Sequence, residues 1–76
     1  MLKGYYIDKG EENKKEVTSH DVFIYLGENQ GYAPQGQHVN IHDEGYVKEC
    51  KRISKEEYLK ISGHLYTPQE YLDKIK

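Results

Sequence analysis

One cysteine, Cys50, and one arginine, Arg52, set against ten lysines, limit this 76-residue chain before anything positive is read from it. A single thiol excludes an internal disulfide framework and every multi-cysteine zinc pattern. The shortage of arginine removes the side chain best suited to bidentate phosphate and base-edge contacts. With a formal net charge of −2 spread along the chain, no basic stripe marks a nucleic-acid footprint. Strong hydrophobes are scarce: Ile, Leu, Val and Phe supply only 16 residues, just above the level at which disorder becomes the better expectation. No run approaches the roughly eighteen apolar residues that span a bilayer. Met1 to Asp8 contains no apolar stretch of signal-peptide length, so a reducing cytoplasmic setting is expected. The standard phosphate-loop, dinucleotide, metalloprotease, C-x-x-C and calcium-loop patterns are all missing.

Eight tyrosines offset the missing aliphatics. Each can bury a large ring while its hydroxyl stays hydrated or hydrogen-bonded, so a folded domain with a partly tyrosine-built core is expected. At this length the chain is one domain, residues 1–76, with a modest stability of about 3–5 kcal/mol.

A phrase repeated thirteen residues apart is the clearest positive signal: Ser54-Lys55-Glu56-Glu57-Tyr58-Leu59 and Thr67-Pro68-Gln69-Glu70-Tyr71-Leu72. Each copy opens with a hydroxyl three residues before a Glu, the capping-box arrangement that starts a helix. Gly63 stops the first helix, and Pro68 occupies the first turn of the second, where its missing N–H is harmless.

Upstream, Leu2–Ile7 reads as a strand ending at the Asp8-Lys9-Gly10 turn, followed by a charged loop over 9–16 and a start of a return strand at Val17-Thr18. Val22–Leu26, short, β-branched and aromatic, reads as a buried strand ending at Gly27; the rival is a helical turn capped by Thr18 or Ser19. Residues 27–37 read as one long loop carrying Tyr32. His38–His42 and Tyr46–Cys50 alternate around Asp43-Glu44-Gly45 and read as a hairpin. That register sets His42 against Tyr46, Ile41 against Val47, Asn40 against Lys48, Val39 against Glu49 and His38 against Cys50. Val39, Ile41 and Val47 then face the core, and the polar side chains face out. The fold expected is α+β: a small antiparallel sheet of three to four strands with two short C-terminal helices packed against it.

The functional expectation is a small non-catalytic interaction or regulatory domain, with no cofactor. It resembles in general character the small regulators carried by bacteria, phages and mobile elements, an analogy of size and composition only. The partner is a protein or a second copy of the chain, not a nucleic acid or a membrane. Tyr32, His38, Asn40, His42, Tyr46 and Lys48 are the candidate contact residues, because tyrosine adds large contact area at little rotamer entropy. The alternative is nucleic-acid binding, with tyrosines stacking on bases and Lys48, Lys51, Arg52 and Lys55 tracking phosphates. A third reading takes His38 opposite Cys50 as a metal or thiol site, since directly opposed strand residues lie about 4.5–5.5 Å apart at Cβ. No metal is expected, and His38 and Cys50 are the only weak candidates for one.

Overall fold

A computed structural model describes residues 2–34, 36–41 and 43–63. The second copy of the repeated phrase, together with His42, His64, Tyr66 and Tyr71, lies outside the described residues. The first strand, β1 (Gly4–Ile7), lies where aromatic and β-branched residues predict it, and the apolar segment forms β2 (Val22–Gly27). Short strands β3 (Gln30–Tyr32), β4 (His38–Asn40) and β5 (Lys51–Ile53) complete one antiparallel sheet in the order β4-β3-β2-β1-β5. Five strands thus replace the three or four expected. The helices are α1 (Glu44–Glu49) and α2 (Lys55–Ser62). No described helix is long and apolar enough to cross a membrane.

Strand alternation sends successive side chains to opposite faces, and both faces are covered. On one face Tyr5, Ile7, Val22, Ile24 and Ile53 pack with Tyr58 of α2; the Tyr5 and Tyr58 ring centroids are 5.1 Å apart. On the other, Tyr6, Phe23, Tyr25 and Ile41 pack with Val47 and Cys50 of the α1 region. The tyrosines therefore do take core positions, and Tyr25 and Tyr58 are fully buried.

Local chemistry explains the helix boundaries. Ser54 accepts a hydrogen bond from the Glu57 N–H at 3.1 Å, and Gly63 closes α2 in the left-handed conformation at φ +67°, as the first copy of the repeat predicts. Segment 17–21 combines both earlier readings in a different way. Val17-Thr18 is not a strand. Thr18 caps a 3-10 turn over Ser19–Asp21, and β2 begins directly after it. Asp21 anchors that turn: its carboxylate accepts from the Thr18 N–H at 2.9 Å, from the Thr18 hydroxyl at 3.1 Å, and from Lys14 at 3.0 Å. The charged loop is thereby held down at its far end.

The expected long loop over 27–37 is a hairpin in its first half. Gly27 pairs with Gln30, and Glu28 and Asn29 between them have φ of 51° and 64°. Positive φ at both central residues is what a two-residue primed turn demands.

The largest departure lies at 38–50. His38–Asn40 is extended, as expected, but it pairs with β3 and not with residues 46–50. Asp43 caps α1, its side chain accepting from the Gly45 N–H at 2.8 Å. Glu44 then sits in the first turn and Lys48 in the last, in accord with the helix dipole. The fully buried Tyr25 hydroxyl donates to the Glu44 carboxylate and accepts from the Asn29 N–H at 3.0 Å. These contacts replace the ladder that a ribbon would have formed.

Candidate functional site

The helical course of 44–49 dismantles the outward ribbon face, so each predicted contact residue has to be placed afresh. Tyr32 and His38 are opposed on β3 and β4, their rings edge-on with centroids 5.3 Å apart; Tyr32 is half-buried and His38 also meets the Gln30 amide. In register they share the α2 side of the sheet with Ile24. Tyr46 belongs to α1 on the opposite side. Lys48 is exposed on α1, and His42 is outside the described residues. Asn40 and Tyr46 are the two predicted residues that the fold brings to one place.

That place is a hollow of about 510 Å³ beside α1, between the end of β1, the start of β2 and the segment around β4. Phe23 and Ile41 supply buried apolar surface; Ala33, Val39 and Tyr46 add apolar walls, and Val22 borders the hollow with its side chain in the core on the α2 side. Asp8, His20, Asn40 and Asp43 are the polar members. Val39 is 37% exposed, where the ribbon register would have buried it, and Tyr46 is 37% exposed. Among the described residues these are the two large hydrophobic side chains left open to solvent, and both line the same hollow. Buried apolar groups need no explanation, whereas exposed ones gathered at a concavity do.

Ile41 reaches its position because Gly31 lies beneath it: a Cβ at Gly31 would come within 3.1 Å of the Ile41 side chain. Tyr46 is held from two sides. Its hydroxyl donates to the Asp8 carboxylate at 3.5 Å, and the next residue, Lys9, pairs with Glu49 of α1 at 2.8 Å. Burial pushes the Tyr46 phenol up to about 12, helped by the Asp8 charge. Burial also raises the Asp8 carboxyl above the usual range, with the Asp21 charge adding to the effect and the Tyr46 hydrogen bond opposing it. Among the described residues neither Asp8 nor Asp43 pairs with a cation.

A broader depression of about 810 Å³ runs between residues 16–19 and α2. It is more open, and the Thr18 and Ser54 hydroxyls along it are already committed as helix caps.

The metal and thiol geometry is overturned. His38 lies on one edge strand, while Cys50 immediately precedes the other. Four inter-strand spacings, about 19 Å, separate those edges. Cys50 is buried against Tyr6, Phe23 and Val47, and it caps the end of α1 through its N–H. No group of three or more His, Cys, Asp or Glu side chains among the described residues could hold a metal ion. Of the proposed phosphate-tracking set, Arg52 folds back on β1: its guanidinium donates to the Lys3 carbonyl at 2.6 Å and the Tyr6 hydroxyl at 3.2 Å. Lys48, Lys51 and Lys55 are exposed.

Sequence reading missed Asp8, His20, Phe23 and Asp43 as neighbours of Tyr46. One signal was present: Asp43 followed by Glu44 is a helix cap and first-turn acid as readily as a hairpin turn. No family model, curated protein or solved structure matches this chain.

Proposed function

We propose that the chain is a small non-catalytic interaction domain that receives a protein partner, or a second copy of itself, in the hollow beside α1. The observation that carries this reading is the convergence of Val39 and Tyr46, the exposed large hydrophobics among the described residues, on one concavity with a buried Phe23 and Ile41 floor. An aromatic at the mouth of an apolar recess is the arrangement of an interface anchor: contact energy concentrates in such residues and in the pocket that excludes water around them. The Asp8 and Asp43 carboxylates supply the polar rim that fixes register. Tyr32 and His38, on the sheet's other side, are outside this surface, and Tyr32→Ala serves as a comparison.

The test is quantitative capture from the native host using tagged wild-type, Tyr46→Ala, Val39→Asp and Tyr32→Ala proteins, each checked for its circular dichroism spectrum. A partner held by wild type and Tyr32→Ala, and lost from folded Tyr46→Ala and Val39→Asp, supports the proposal. Equal capture by all four removes it.

A further inference from the structure

Resting on that reading, we infer that the hollow receives a cationic side chain, lysine or arginine, presented by a protein partner. Lysine and arginine carry a long aliphatic stem beneath a charged head, and they bury the stem wherever the head can reach a polar rim. The hollow has that division. Phe23, Val39 and Ile41 form an apolar lining for methylene groups, and Asp8 and Asp43 stand with them as carboxylates. The charge is uncompensated: the ion pairs of the described residues join Lys9 to Glu49 and Lys14 to Glu11 and Asp21, and none involves Asp8 or Asp43. Asp43 uses one carboxylate oxygen to cap α1, and among the described residues the Asp8 carboxylate accepts only the long Tyr46 hydrogen bond. Acceptors are therefore available at the hollow, and no lysine or arginine of the described residues lines it.

Charge complementarity separates this occupant from its competitors. An acidic peptide or a phosphate-bearing ligand would meet two like charges, which opposes binding. A purely apolar segment would fill the floor and exclude water from the half-buried Asp8 carboxylate, leaving it the long Tyr46 hydrogen bond in place of its hydration. The Tyr46 ring adds to the same preference, since an aromatic face attracts a cation that approaches it.

The test uses two capped pentapeptides that differ at the central position, Ala-Leu-Lys-Leu-Ala and the same peptide with uncharged norleucine, titrated into 15N-labelled protein by NMR. The lysine peptide is expected to shift the amides of Val39, Ile41 and Tyr46 and to bind at least about fivefold more tightly than the norleucine peptide. In an Asp8→Asn/Asp43→Asn protein that preference disappears, while the fold survives because asparagine caps α1 as well as aspartate does. Equal binding of the two peptides overturns the cationic assignment and leaves the docking reading intact. The assignment is also overturned if the lysine peptide shifts no amide of the hollow. If, in addition, Tyr46→Ala captures host protein as wild type does, the docking reading falls with it.

Discussion

The Tyr25 hydroxyl joins two elements nineteen residues apart by donating to the Glu44 carboxylate at the start of α1. The same oxygen accepts the Asn29 N–H in the β2–β3 turn, so one buried phenol fastens both the helix and the hairpin. Tyr25→Phe is expected to destabilise the protein by about 1–3 kcal/mol, since it leaves a carboxylate and an amide without their partner. Urea unfolding read by circular dichroism measures it. A change below a few tenths of a kcal/mol would mean that water replaces the hydroxyl at no loss.

Asp21 contributes to the acid limb of stability. The Thr18 N–H, followed by Lys14, holds its carboxyl down to about 2. A depressed carboxylate stabilises the fold above its unfolded value and loses that contribution as pH falls through the folded value. The window therefore runs from near 4 down to about 2. Asp21→Asn keeps an acceptor for the Thr18 N–H but does not titrate. Its unfolding midpoint should be lower than that of wild type at pH 6, and the difference should shrink as the pH approaches 2.

Asp8 carries the opposite sign. Its carboxyl is raised by burial and by Asp21, so its charged form opposes folding, and stability declines as pH rises past its unfolded value of 3.8. Asp8→Asn should raise the urea midpoint at pH 7 and flatten the decline above pH 4. A residue of the candidate site would then be held at some loss of stability, a pattern common at functional positions. A lower midpoint at pH 7 would show instead that the Tyr46 contact outweighs the desolvation.

The turn at Glu28-Asn29 is strained at a known position. Glu28 has φ 51° without being glycine, and side chains with a Cβ are disfavoured there by about 1–2 kcal/mol. Glu28→Gly recovers part of that, offset by the greater freedom of glycine in the unfolded chain. An increase in stability of about 0.5–1 kcal/mol is expected, measurable as a rise in melting temperature without change in the partner surface.

How much of this could be read from the residues varies with how local each signal is. Strands β1 and β2 and helix α2 were legible because apolar clusters, turn residues and caps lie within a few positions of one another. Strand β3 was hidden because Glu-Asn is not a strong primed-turn pair, and its central residue, Gly31, is one that normally argues for a loop. At 44–50 two periods coincide: Val47 faces the core in a strand or a helix alike, and Asp43 suits both a turn and a cap. The balance tips through Tyr25 meeting Glu44, a tertiary contact that no local pattern announces. The hollow was illegible for the same reason. Phe23, Val39 and Tyr46 come from three separate elements and Asp8 from the turn after β1, and only the sheet order places them together.

That strand order has a kinetic consequence. Tyr5 on β1 finds Ile53 on β5 as its neighbour, so an early strand lies between one partner that follows within twenty residues and another that arrives almost fifty residues later. Until residues 51–53 have been synthesised, β1 presents an open flank of unpaired amides and carbonyls. Closing that flank is a long-range step of the sort that slows a small domain's collapse to its native state, and it makes the nascent chain most vulnerable to mispairing just before β5 arrives.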